Sequence, residues 1–445
     1  MKKLVSLLLA LMMVLACVSS FAEETAAEPE YTAKEGETVV EFWCGIWENW
    51  NQNWIQSMVD AWNAKEDRPF FVNLTWMDTG TMNEQLAANR AADTAPDVYT
   101  DNYGDIANAY VNGYLLDLKD LLPQECWDDL LDSAKEFVTV GDAYVAYPWM
   151  MEPAIVMYYD KDAFTEVGLD PETPPTTWDE LIEYADMLTT EDRFGMDVSA
   201  DYNFWGWMYT CNNNQYMLTD DWSAANVNTD GMKDLARFYQ TIRNSTYCSQ
   251  TALKHQNVGV EAVLEGRSAI AFSGSWGVSV IDNNYPEKRD SIGVAAAPTK
   301  DGSPMHSTSG GWTFAIDSHA HHVDEAAQFI QYMMADIEDP SKVADFFVAA
   351  SFCKFTTRKS VADYLVANTA AANDERMQAI QSDIMPYVVA EPIYAWEIFQ
   401  NGLNTLEDIA INGTDIDQAF VDLENLTNQY IKDNDLAGKN PKAAK

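Results

Sequence analysis

From Val39 to about residue 432, strand-like and helix-like patterns alternate, and no Gly/Ser-rich linker interrupts them between residues 37 and 435. Such alternation specifies α/β sheets. Without a tether, two domains would have to be joined by strands or short crossings, and joints of that kind bend as hinges. Val39–Phe42 reads as a strand, and Asn51 to Lys65 as a helix with Ile55, Met58, Val59 and Trp62 on one face. Phe70, Val72, Leu74 and Trp76 alternate in a second strand. Met82 to Ala92 reads as helix, Asp97-Val98-Tyr99 as a short strand, and Ile106 to Asn112 as a helix ending at the turn Gly113. Thr177-Trp178-Asp179-Glu180 is a capping box that opens a helix from Trp178 to Leu188. The run from Ala154 to Tyr159 is too continuously apolar for a surface strand, which predicts burial on both faces of a parallel sheet.

Tryptophan is the residue that carries chemistry here, with 15 in the chain. Trp312 follows Gly310-Gly311, where the missing side chains let another group approach the backbone and leave the indole face accessible. Trp43 and Trp47 after Val39–Phe42, Trp149 after Tyr144–Tyr147, and Trp276 after Ala269–Phe272 stand in the same posture, just past a strand, where ligand crevices of α/β proteins lie. Trp62, Trp127, Trp178 and Trp222 read as core or helix-face residues. Glu152 precedes Pro153 and an apolar strand. A buried, unpaired carboxylate there would cost several kcal/mol, so Glu152 is expected to make hydrogen bonds.

The N-terminus has an export pattern: Lys2 and Lys3, an apolar core from Leu4 to Ala16, and the small-x-small site Ser20-Phe21-Ala22. A second reading stands beside it, because Val14-Leu15-Ala16-Cys17 resembles a lipobox in which Cys17 would be acylated. Either way the protein is expected outside the cytoplasm, at the cell surface or in a periplasm. Nothing later reaches the ~18 apolar residues of a membrane span. The net charge of −43 argues against nucleic acid or anionic lipid as partners and is read as solubility. The cysteines after Cys17 number five and contain no CxxC spacing, so neither a disulfide framework nor a metal site follows. No cofactor is expected.

Four stretches together resemble the family 1 extracellular solute-binding proteins, the carbohydrate receptors of bacterial ABC importers, maltose-binding protein among them. The first is Ala95-Pro96-Asp97-Val98-Tyr99 with Gly113-Tyr114-Leu115-Leu116-Asp117-Leu118. The second runs from Ala146-Tyr147-Pro148 through Tyr158-Tyr159-Asp160-Lys161-Asp162 to Pro175-Thr176-Thr177-Trp178-Asp179-Glu180. The third is Gly266-Arg267-Ser268-Ala269-Ile270-Ala271-Phe272 with Gly274-Ser275-Trp276, and the fourth Ala297-Pro298 through Gly310-Gly311-Trp312. The resemblance implies a two-lobed, periplasmic-binding-protein-like α/β fold with discontinuous lobes, hinge crossings and a ligand cleft between them. Matched onto this chain it implies a signal peptide over 1–22, a tether over 23–37, and a first lobe from 38–149 and 309–357. The second lobe would take 150–308 and 358–435, leaving a flexible tail at 436–445. Implied cleft residues are Trp43, Trp47, Asn102, Tyr103, Trp149 and Glu152, then Asn203, Trp205, Trp207, Trp276, Gly311 and Trp312, and finally Glu391, Tyr394 and Trp396. The implied partners are a small molecule, expected to be an oligosaccharide, and the permease subunits of an importer, with the receptor itself a monomer. The loop Asp101–Asp105 lacks the Asp-Arg pair that grips sugar hydroxyls in the maltose receptor, and Asn203 to Trp207 is richer in tryptophan, so a different glycan is expected.

Three other readings compete with this one. A secreted glycosidase would also want a cleft and paired carboxylates, but 70 acidic residues make such pairs uninformative and no catalytic module is left over. The run His319-Ala320-His321-His322 places imidazoles together without a Cys or Asp at ligand spacing, and reads as a polar turn. A non-carbohydrate solute such as a polyamine, polyol or phosphoester stays open, since an acidic, Trp-rich site could cage a cation.

Overall fold

The computed structural model describes residues 31–46, 49–198, 202–250, 259–352 and 354–443. In chain order its strands are β1 (Val39–Ile46), β2 (Phe71–Asp78), β3 (Val98–Asn102), β4 (Thr139–Val140) and β5 (Ala143–Tyr144). Next come β6 (Tyr147–Pro148), β7 (Met150–Pro153), β8 (Val156–Asp160), β9 (Phe194–Asp197) and β10 (Ser268–Ser273). The last are β11 (Ile292–Ala295), β12 (Thr308–Gly310), β13 (Trp312–Ile316), β14 (Phe355–Thr356) and β15 (Val389–Ala390).

The first lobe is built on a sheet of order β2-β1-β3-β13-β6. β1 pairs in parallel with β2 along its whole length and with β3 at Phe42 and Trp43. β13 arrives much later in the chain and runs antiparallel to both β3 and β6. Val40, Phe42 and Cys44 alternate into the core as a strand with one covered face requires. The helix expected over 51–65 spans Asn49–Asn63 and buries Ile55, Met58, Val59 and Trp62. The Trp62 indole N–H donates to the Phe70 carbonyl at 3.0 Å, which fastens the helix to the start of β2.

The second lobe carries a sheet of order β11-β8-β10-β9. β8 is buried as its apolar run predicts, with Val156 and Tyr158 in one core and Met157 and Tyr159 in another. The expected parallel sheet is corrected, however: β8 is antiparallel to both β10 and β11. A continuous apolar run reports that both faces are covered and carries no information about strand direction. The helix Trp178–Leu188 has its capping box intact, Thr177 accepting from the Glu180 amide while the Glu180 side chain reaches back. The Trp178 indole donates to the Pro298 carbonyl at 3.2 Å.

Between the lobes lies a sheet of short strands, order β14-β7-β12-β15. Arg358 locks the β14 end of it to the first lobe. The side chain is fully buried; Nε donates to Asp129 Oδ2, Nη1 to the Met334 carbonyl and Nη2 to the Asp336 carbonyl, each at 2.7 Å. The chain does not then pass straight to the second lobe, as the expected 358–435 segment would have it. Helix Lys359–Asn368 packs beside Ser341–Ala349 of the first lobe. The second lobe is engaged from Asp374 and Arg376, which pair with Arg289 and Asp282. It is completed by the helices Trp396–Asn412 and Ile416–Asp433.

The described residues nearest each end are anchored to the rest of the protein. The segment 1–22 expected to be a signal peptide, with Cys17, and residues 23–30 lie outside the described residues. From Thr32 onward the chain is tied down: Arg68 donates to Glu37 at 2.7 Å and to the Thr32 carbonyl at 3.1 Å. Residues 436–443, expected to be a flexible tail, fold back on the protein instead, with Pro441 buried.

Arg358→Leu is expected to lower the stability of the protein by about 3–5 kcal/mol, because Asp129 and two carbonyls lose a buried donor that water cannot replace. Urea unfolding followed by tryptophan fluorescence would show it as a lower midpoint; an unchanged midpoint would mean the lock contributes nothing.

Candidate functional site

Gly311 sits where β12 hands over to β13. Its φ is +144°, and a Cβ there would stand 2.1 Å from the Met150 carbonyl oxygen and 2.6 Å from the Tyr103 ring, so only glycine fits. This brings Trp312 to the rim of the first sheet, opposite Asn102 in register. Its partly exposed ring lies against Gly45 at the end of β1, where an added Cβ would come within 3.4 Å of Cζ3. From the second lobe, Trp276 opens the helix Gly277–Asn284 at the end of β10. Its partly exposed ring folds back over Gly274, where a Cβ would fall 1.9 Å from Cζ3. The Ser275 amide donates to the Pro153 carbonyl at 2.9 Å and so holds this turn against β7. Each indole therefore rests on a glycine at a strand end, one per lobe.

The central sheet carries a row of charged groups between these turns. Gly310 pairs with Glu152 across β12 and β7. Lys354, next to β14, forms an ion pair with Glu152. On the other side Glu391 follows β15, and its carboxyl lies against Gly310, where a Cβ would be 3.0 Å from Oε1. The expected hydrogen-bonding role of Glu152 thus falls to Lys354 and to its own amide, which donates to Ser309 Oγ at 2.9 Å. Glu391 has no cationic partner among the described residues, and burial pushes its carboxyl up to about 7.

The other candidate residues divide. Trp149 is fully buried, stacked on Trp54 at 5.8 Å between Phe314 and Phe346. Trp207 is also fully buried, donating to the Pro298 carbonyl at 2.8 Å and packing on Phe238 and Phe272. Tyr103 is buried, its hydroxyl on the Met150 carbonyl at 3.1 Å and its ring edge-on to Phe137. These three are core residues where cleft residues were expected; a position after a strand says where the backbone is, not which side of it the ring enters. Trp43 is buried in the first core as well. Asn102 spends its amide on capping the helix Tyr103–Val111, accepting from Gly104 and Asp105 and donating to the Asp105 carboxylate at 2.7 Å. Asn203 and Trp205 belong to the helix Tyr202–Cys211, but their side chains, like Trp47, lie outside the described residues.

Tyr394 is buried and Trp396 exposed, and both line a hollow of about 490 Å³ against Gly104, Asp105 and Asn108 of the first lobe. Beside it, a cavity of about 500 Å³ is walled by Glu136 and Phe137 of the first lobe, Tyr209 and Tyr216 of the second, Glu391, and Lys442. Lys354 and Lys442 escaped the sequence reading, since an isolated lysine in a loop or tail has no periodicity to mark it. The His319–His322 turn is engaged with the first lobe, the His321 and His322 amides donating to Asp97 Oδ1 at 2.8 and 2.9 Å.

Two α/β lobes joined by a sheet of crossing strands, with aromatic faces presented from each, define a two-lobed binding protein. The sequence profile of the bacterial extracellular solute-binding proteins matches residues 50–337, and the chain belongs to that family. A probable ABC transporter-binding protein from Deinococcus radiodurans is 23% identical over 233 residues, which cover 50% of this chain and 55% of the relative. The chain thus matches about half the length of that relative. The sn-glycerol-3-phosphate-binding periplasmic protein UgpB of Escherichia coli is 45% identical over 53 residues, 12% of this chain and 11% of UgpB. Among solved structures, the sugar-binding protein MalE from Xanthomonas citri superposes with a TM-score of 0.75 at 18% identity, covering 91% of this chain and 100% of that one. The cyclic alpha-maltosyl-1,6-maltose binding protein from Arthrobacter globiformis gives 0.71 at 22% identity, with 89% and 100% covered. At these identities the superpositions establish the fold.

Glu391 yields a pH signature. Its folded pKa of about 7 stands above the ordinary 4.5, so across that window the folded chain holds a proton that the unfolded chain has released. Its contribution to stability therefore falls as the pH rises through the window. Glu391→Gln is expected to gain on the wild type by roughly 1–3 kcal/mol between pH 4.5 and pH 8, measured as the difference in urea-unfolding free energy. A difference independent of pH would show that the carboxyl is solvated.

Proposed function

We propose that the protein is the exported substrate-binding receptor of an ABC importer, which captures an extracellular carbohydrate, an oligosaccharide, between its lobes and hands it on unaltered. The observation that carries this reading is the pair Trp312 and Trp276, each partly exposed and seated on a glycine at a strand end, one from each lobe, with Glu152, Lys354 and Glu391 on the sheet between. Flat aromatic faces suit the C–H faces of sugar rings, and carboxyl groups suit vicinal hydroxyls. The lobes close over the ligand by bending at the crossing strands. Trp47, Asn203, Trp205 and Trp396 complete the proposed ligand shell, and the superposable proteins named for sugars support the same substrate class. The receptor works as a monomer, delivers to permease subunits, and stays at the cell surface or in the periplasm, held by Cys17 if that residue is acylated.

The UgpB match favours a second reading, a phosphoester ligand. Against it, the lysine of the central row, Lys354, is already paired with Glu152, which leaves little positive charge there to meet a phosphate. A thermal-shift panel of oligosaccharides, polyamines and glycerophosphates separates these classes, because a ligand at a hundredfold its Kd stabilises by about 2.7 kcal/mol.

With the glycan so identified, Trp276→Ala and Trp312→Ala should each weaken its binding by about 1–3 kcal/mol and leave the unfolding midpoint nearly unchanged. Titration calorimetry reads this directly, and chromatography of the same mixture after many hours should return the sugar uncleaved. Undiminished affinity in both variants would move the site elsewhere, and turnover abolished by Glu152→Gln would make the protein a glycosidase.

A further inference from the structure

The last residues of the described chain join the two lobes beside the crossing strands, lining one cavity together with Val389, Ala390 and Glu391. After the helix Ile416–Asp433 of the second lobe, the chain turns through Asp435 and Gly438, at φ +51° and +74°. The Gly438 amide donates to the Asp221 carbonyl at 2.7 Å, and Asn440 Nδ2 donates to the Asp220 carbonyl at 2.7 Å. The loop that accepts these bonds belongs to the second lobe, since the Ala225 amide is held by Asn428 of the same long helix at 2.8 Å. Two residues further on, Lys442 Nζ donates to the carbonyls of Glu136 and Phe137 at 3.3 and 3.2 Å. Those carbonyls end the helix Asp132–Phe137 of the first lobe, where a cation is favoured. Pro441 between the two anchors is buried. The short turn Pro441–Ala443 packs on the helix Tyr103–Val111 and on β4, both of the first lobe. Beneath it lies the cavity of about 500 Å³ whose walls come from both lobes.

We infer that residues 438–442 form a strap that limits how far the lobes can separate. Asn440 and Lys442 are two residues apart, a span of at most about 7 Å of extended chain. Lobe opening at this edge beyond the reach of those two side chains therefore has to break one anchor. The inference rests on the two-lobed fold and on these contacts, and it holds whatever solute the protein carries.

The test uses the full-length protein without ligand. Asn440→Ala combined with Lys442→Ala removes an anchor from each lobe while leaving the backbone course intact. Solution X-ray scattering is expected to give a larger radius of gyration and a broader distance distribution than the wild type, with an unchanged far-ultraviolet circular dichroism spectrum. A scattering curve identical to the wild type in the folded double variant overturns the strap. Should the double variant fail to fold, Lys442→Met, which keeps the apolar stem, replaces it with the same criterion. Hydrogen exchange in the wild type supplies an independent reading: the Gly438 amide must exchange more slowly than in a free peptide, and exchange at the free-peptide rate overturns the proposal.

Discussion

The main chain at Gly311 passes so close to the Met150 carbonyl that a Cβ would stand 2.1 Å from its oxygen, and the arrangement of both lobes depends on that approach. It lets β12 pair with β7 in the central sheet and, one residue later, lets β13 enter the first sheet between β3 and β6. A side chain at 311 would push the two crossing strands apart and carry Trp312 off the rim. Under the proposed closure, the bending would fall on these few short strands. The Trp312 carbonyl accepts from the Trp149 amide at 2.8 Å, so the rim tryptophan and the buried one are held by a single backbone bond.

Positive charge is scarce, with 27 basic residues against 70 acidic ones, and several of the basic side chains are committed to structure. Arg358 closes the end of the central sheet, Arg376 joins Asp374 to Asp282, Arg90 meets the buried Asp317 at 2.8 Å, and Arg68 holds Glu37. Most of these ion pairs join segments distant in sequence, and Arg358 and Arg90 bridge more than two hundred residues. The acidic excess is left on the surface, where it favours solubility. Lys354 and Lys442 are exceptions of another kind: one neutralises a carboxylate on the sheet between the lobes, and the other spans the lobes themselves.

Much of the secondary structure was legible because it obeys local rules. The capping box at Thr177 and Glu180 starts its helix where the side chains alone demand it, and the apolar face of Asn49–Asn63 announces both helix and core. The direction of β8 was not legible, since a residue buried on both faces looks the same in a parallel and an antiparallel neighbour pair. The anchoring of the tail is not legible for a related reason: Gly438, Asn440 and Lys442 are the polar and flexible residues of a loose end, and only the carbonyls of a distant loop and a distant helix end turn them into anchors.

The sequence by itself determined the alternation of strands and helices, the lack of a flexible linker, and the glycines at 274, 310 and 311 beside two tryptophans, of which Gly274 makes room for the Trp276 ring and Gly311 for the close backbone approach before Trp312. These are properties of residues and their near neighbours. Tertiary structure decided which aromatic rings belong to the core: Trp149 and Trp312 both stand at strand ends, yet one is enclosed by Trp54, Phe314 and Phe346 and the other stays partly exposed. It also decided that Glu152 has a cation beside it and Glu391 has none among the described residues, because Lys354 reaches the first across a strand pairing formed by segments some two hundred residues apart. Burial and charge pairing are set by what packs against a side chain from elsewhere in the chain, and no local pattern encodes that.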